Sequence, residues 1–245
     1  MDFDRVSDAM ATAAVADDTS PDILDRMTPS QRARAQALEA FGDDRLLEAI
    51  FHWKKQEQAP RTPVEVAMMA EGLAEAGDQA AVEYAQRLGA WEPGEADLVM
   101  GRLLARSGKE GEAVDYLVKA FKRFRDDPWA LPCMMRRGLT LVYELSLRDS
   151  KLAARLYEAV AAPYAVNVLD NYRQEVAAAV ATASKGAIPC AEAYGAMEPD
   201  PPWRLDFLKA RADCYAQTED LRVVAAVDDL LTYLAAEPTK FAAGL

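Results

Sequence analysis

Ser107-Gly108-Lys109, within LLARSGKEGEAVDYL (residues 103–117), is the first place in this chain where residue types suggest chemistry. A Gly-Lys pair after a turn is how a phosphate-binding loop ends. That loop needs G-x-x-x-x-G-K-[ST], so that backbone amides wrap the phosphates and a hydroxyl holds magnesium. Here Gly101 precedes Gly108 by seven residues, too many for the motif, and Glu110 stands where the hydroxyl belongs and would repel phosphate. The stretch reads as a corner between two helices.

The other reactive residue types are sparse. His52 is the single histidine, which rules out an H-E-x-x-H zinc site. A Ser-His-Asp triad built on it lacks a supporting G-x-S-x-G elbow. Beside Trp53 it reads as a half-buried packing residue. Cys133, Cys190 and Cys214 are odd in number, far apart and without a C-x-x-C, and read as reduced core side chains. The acidic pairs Asp17-Asp18, Asp43-Asp44, Asp126-Asp127 and Asp228-Asp229 read as helix caps or solvated faces. No D-x-D-x-D-G calcium loop occurs. The expectation is a protein with no cofactor, no metal and no catalytic site.

Composition narrows the class further. Of 245 residues, 51% are hydrophobic and 28% charged, which places the chain among folded proteins. Lys and Arg number 28 against 40 Asp and Glu, a net charge of −12 that disfavours nucleic acid as a partner. No apolar run is long enough for a membrane span. The first residues, MDFDRVSDAM, carry acid where an export signal carries Lys or Arg, so the expected location is cytoplasmic.

The elements that must position these residues are helices. Gly and Pro are few, Ala is abundant, and Val, Ile and Thr form no alternating runs. Amphipathic segments come in pairs: 29–42 with 44–57, 63–76 with 78–90, 94–107 with 109–125, 131–147 with 150–162, 167–184 with 188–197, and 203–217 with 219–236. Thr28-Pro29 opens the first as N-cap and N1 proline. Corners such as Gly42-Asp43, Gly77-Asp78, Ser107-Gly108, Lys185-Gly186 and Thr218-Glu219 join the members of a pair, and Pro-containing links join the pairs. About six helical hairpins in a row predict an all-α solenoid. An acidic leader, 1–28, holds seven Asp and two Arg and precedes a repeat domain over 29–238; 239–245 form a tail.

The third hairpin, ADLVMGRLLARSGKEGEAVDYLVKAF, resembles the tetratricopeptide repeat family through Met100-Gly101, Leu104, Gly108, Ala113, Leu117 and Ala120. Gly101 and Ala113 sit where two helices cross closely. The last hairpin fits through Ala212, Tyr215 and Ala225 with a one-residue slip, the second through Ala70, Leu73 and Ala81, and the first through Ala37 and Ala49 only. The fourth and fifth are degenerate. The resemblance implies a right-handed superhelix and a non-enzymatic scaffold whose first helices line a concave groove for a peptide or partner domain. Carried onto the matching repeats, the groove positions are Glu71 and Glu75; Leu98, Arg102 and Arg106; and Lys209, Asp213 and Gln217. The mixed signs imply a peptide carrying both charges.

Several alternatives stay open. Arg102 and Arg106 either recognise an acidic segment or pair with Glu71 and Glu75 and hold the stack. Trp91, Trp129 and Trp203, beside the proline links, either plug the seams between hairpins or anchor a partner. The basic island Lys119, Lys122, Arg123, Arg125, Arg136 and Arg137 either complements helix C-termini or meets an acidic partner. The chain is alternatively an accessory or regulatory domain of a larger enzyme or complex, which its start at Met1 disfavours, or an enzyme with an acid–base site in the groove.

Overall fold

A computed structural model describes residues 27–236. Most of the acidic leader and all of the tail lie outside the described residues. Among these, the chain forms twelve α-helices, one short 3-10 turn and no strand, so the all-α expectation holds. The helices are α1 Pro29–Gly42, α2 Leu46–Trp53, α3 Pro63–Glu75, α4 Ala81–Leu88, α5 Pro93–Arg106 and α6 Glu110–Phe124. They continue with α7 Pro132–Ser146, α8 Ser150–Val160, α9 Asp170–Ala183, α10 Cys190–Gly195, α11 Leu205–Gln217 and α12 Val223–Ala236.

Local chemistry sets these boundaries. Proline opens α1, α3, α5 and α7, where its missing N–H costs nothing. Thr28 and Thr62 close capping boxes with Gln31 and Glu65, each side chain accepting the other's backbone N–H. Four corners share one geometry. Asp44, Gly77, Gly108 and Glu219 have positive φ, and the next residue donates its N–H to a carbonyl five positions back: Arg45 to Ala40, Asp78 to Leu73, Lys109 to Leu104 and Asp220 to Tyr215. This is the Schellman closure, which left-handed backbone permits and glycine adopts without strain. Ser107-Gly108-Lys109 is therefore a helix corner. Asp78, Asp149 and Asp220 then accept the N–H two residues on, each starting the next helix.

The described residues form two compact units, 27–141 with 164–166, and 142–163 with 167–236; the division falls within α7. In the first unit, α1 packs on α2, α3 on α4 and α5 on α6 as hairpins. The second helix of each of the first two hairpins packs on the first helix of the next, and α1, α3 and α5 also pack in order. A Cβ on Gly101 would stand 3.0 Å from Leu117 and 3.3 Å from the Ala113 carbonyl, so the expected small-residue crossing is present. Gly138 makes a tighter one: its Cβ would lie 2.5 Å from Leu98 Cδ1 and 3.0 Å from Phe121.

In the second unit, α8 packs on α9, α9 on α10, α10 on α11 and α11 on α12. Tyr194, Phe207, Tyr215 and Met197 form its core. Cys190 and Cys214 are joined in a disulfide there, with sulfurs 2.00 Å apart. This corrects the reduced-cysteine expectation. Spacing in sequence concealed the pair, because α10 and α11 bring together residues 24 apart. A disulfide is typical of oxidising compartments, so it lends no support to the cytoplasmic expectation. Cys133 carries a free thiol. No helix among the described residues is long and apolar enough to cross a membrane.

Candidate interaction site

The groove positions in the first unit are occupied by ion pairs. Glu71 is fully buried and Arg102 is 4% exposed. Arg102 stands 3.1 Å from Glu71 and 2.7 Å from Glu75, and Arg106 stands 2.8 Å from the other oxygen of Glu75. Of the two readings of Arg102 and Arg106, this is the pairing that holds the stack. Leu98 is fully buried against Gly138.

A third cation comes from the basic island, and the sequence did not show its partner. Arg137 of α7 donates to both oxygens of Glu71, to Asp44 and to the carbonyl of Phe41, whose ring lies beneath the guanidinium at 4.5 Å. Burial opposes the charge of Arg137, yet Glu71 outweighs it and raises the guanidinium pKa. Burial likewise pushes the Asp44 carboxyl up, and hydrogen bonds from Arg136 and Arg137 bring it below its ordinary value. Other members of the basic island are absorbed too: Lys119 and Arg123 both pair with Asp97, at 2.8 and 2.9 Å. The interior of this unit is thus a packed polar network.

The second unit presents an open face instead. A pocket of about 340 Å³ is lined by Tyr143 of α7, by Tyr172, Glu175, Val176 and Ala179 of α9, and by Asp206, Phe207 and Ala210 of α11, with Tyr194 at its base. These first helices present two tyrosines and a charged trio. Arg204 donates to Glu175 at 2.8 Å and, more loosely, to Asp206 at 3.4 Å. Its hydrogen bond holds the Asp206 carboxyl below its ordinary value. Burial raises the Tyr194 phenol, with Asp213 and Asp206 adding to the shift. Of the expected groove residues here, Lys209, Asp213 and Gln217 are all exposed. By helical phase Asp213 and Gln217 continue the pocket face of α11, and Lys209 stands at its edge.

The register of the degenerate hairpins could have pointed to this pocket. Tyr143 follows the tightly packed Gly138 by the same offset as Arg106 follows Gly101 and Gln217 follows Ala212. Anchoring the fifth hairpin on the buried Ala178 puts Glu175 and Ala179 at the offsets of Leu98 and Arg102.

The remaining residues singled out by sequence take structural or exposed positions. His52 is half-buried and packs edge-on against Phe51, with Nε2 3.4 Å from Glu48. Trp91, Trp129 and Trp203 are 51%, 83% and 50% exposed, so they do not plug seams.

Comparison with protein-family models, with curated proteins and with solved structures finds no match.

Proposed function

We propose that this chain is a non-enzymatic interaction scaffold, related in design to tetratricopeptide repeats, that holds an extended peptide or an exposed segment of a partner protein along its first helices. The pocket of the second unit supports this reading most directly. Three successive first helices line it, and Tyr143, Glu175 and Ala179 among its residues fall at the offsets carried over from that family, while Lys209, Asp213 and Gln217 lie outside its lining. Tyr143 and Tyr172 offer amphipathic contact area at low entropic cost, as recognition surfaces do. Among the lining residues Glu175 and Asp206 outnumber Arg204, so the preferred segment carries an apolar or aromatic side chain beside a basic one. The ion-paired interior of the first unit supports a structural role for Glu71, Glu75, Arg102 and Arg106. An accessory role within a larger assembly uses the same surface.

Panning a displayed random-peptide library against the full chain tests this. Enriched peptides, measured by fluorescence anisotropy, should lose roughly tenfold or more in affinity against a Tyr143→Ala/Tyr172→Ala variant that keeps its helical circular dichroism. Failure to enrich any peptide, or equal binding by the double variant, overturns the assignment of the pocket.

A further inference from the structure

Two glutamates occupy the same place in successive hairpins and meet opposite surroundings. Glu65 is the third residue of α3 and Glu95 the third residue of α5, each two after the opening proline. Glu65 accepts the N–H groups of Arg61 and Thr62 with one oxygen and pairs with Arg34 through the other. Glu95 accepts the Leu131 N–H with Oε1 at 2.9 Å. Its Oε2 is shut off from solvent and has no hydrogen-bond partner, and the residue is fully buried. Where Glu65 meets an arginine, Glu95 meets two more carboxylates, Glu92 and Asp127.

Oxygens of these three carboxylates lie within 4.8 Å of one another. Asp127, on the link between α6 and α7, uses Oδ1 to accept the Trp129 N–H at 2.9 Å. Glu95 and Asp127 are thus each steadied by one backbone hydrogen bond, with a second oxygen left to offer. Negative charge brought together without a cation is costly, and an unpartnered buried carboxylate oxygen adds a desolvation penalty.

The geometry points to a divalent-cation site of Ca²⁺ type at Glu92, Glu95 and Asp127, pinning the start of α5 to the α6–α7 link. The donors are all oxygen, the set that hard cations select. Ca²⁺ binds carboxylates flexibly at about 2.3–2.6 Å, whereas Mg²⁺ demands near-ideal octahedral geometry and keeps several waters, so three carboxylates gathered from a helix start and a link suit the larger ion. The sequence hides the site, because it joins an E-x-x-E at a helix start to an aspartate one hairpin later, with no loop motif. The metal-free expectation rested on missing His and Cys clusters and on the absence of a contiguous D-x-D-x-D-G loop, and neither addresses carboxylates gathered from separate elements.

Trp91 and Trp129 flank the site in sequence and suit terbium sensitisation. The full chain, stripped with EDTA, should give saturable Tb³⁺ luminescence that CaCl₂ displaces and MgCl₂ displaces poorly. Titration calorimetry with CaCl₂ alone should show one equivalent bound, with a Kd on the order of 0.1 mM. Glu95→Gln preserves shape and the Leu131 hydrogen bond, and should weaken Ca²⁺ by about tenfold or more. Asp127→Asn, on the partly exposed link, is read in the same way if Glu95→Gln fails to fold. No calcium heat with the wild-type chain overturns the site, and so does undiminished Ca²⁺ affinity in folded Glu95→Gln or Asp127→Asn protein.

Discussion

Arg137 donates from Nε and Nη2 to the two oxygens of Glu71, at 3.1 and 2.6 Å, across 66 residues of sequence. Both side chains are buried, so each charge depends on the other. Removing one partner leaves the other in a low-dielectric interior with only its remaining ion pair, Glu71 with Arg102 or Arg137 with Asp44. Arg137→Ala or Glu71→Ala should lower stability by about 3–5 kcal/mol in urea unfolding. The double variant Arg137→Met/Glu71→Leu should lose much less than the sum, since it removes both charges together. Additive losses would show that the pair is not coupled.

Reversing Arg102 and Arg106 to Glu sets two new carboxylates against Glu71 and Glu75. Because Arg102 is buried between them, the expected outcome is a fall of about 10 °C in melting temperature. A double variant that melts like the wild type would return these arginines to consideration as recognition residues.

Helix crossings predict two costly glycine substitutions and one harmless one. Gly101→Leu and Gly138→Leu each overpack a crossing and should cost about 1–3 kcal/mol. A Cβ on Gly111 meets nothing within 4 Å, so Gly111→Ala in α6 should leave stability unchanged or slightly raised. Chemical denaturation of the three variants checks the register of both hairpins.

The Cys190–Cys214 bridge closes a short segment of chain, 24 residues apart in sequence. Its loss in Cys190→Ala/Cys214→Ala, or on reduction, should destabilise the second unit by about 3 kcal/mol. Mass spectrometry after alkylation under native and reducing conditions counts the free thiols. Alkylation of all three cysteines in unreduced, unfolded protein would refute the bridge.

Tyr215 supplies an alkaline signature. Burial, and then its hydrogen bond to Glu198, push the phenol up to about 12. The folded state therefore holds this proton more tightly than the unfolded chain, whose tyrosines ionise near about 10. The stabilisation is fully present below about pH 10 and is lost as pH rises through about 12. Tyrosinate absorbance should show a late-ionising component at about pH 12 that diminishes in Tyr215→Phe. Asp44 acts in the opposite direction. Its lowered carboxyl contributes stability above about pH 4, lost as pH falls through the folded-state value.

Local chemistry written in the sequence determined the helices. Prolines at N1, Thr28 with its capping partner, and the turns at Gly77 and Gly108 act within a few residues of themselves. The pairing of helices in the first three hairpins and the close crossing at Gly101 were legible for that reason, and so was the failure of Ser107-Gly108-Lys109 as a phosphate loop. The fate of the charges was not legible. Whether Arg102 faces a partner or Glu71 depends on how closely the first helices pack, and Arg137 reaches Glu71 from two hairpins away. The tyrosines of the pocket lay in the hairpins whose motif is degenerate, where only the buried Gly138 and Ala178 reveal the register. The union of Cys190 with Cys214, and of Glu92 and Glu95 with Asp127, likewise depends on spatial neighbours from different elements. Backbone caps are local interactions and can be read along the chain. The partners of a buried charge or thiol are chosen by packing, which only the tertiary structure decides.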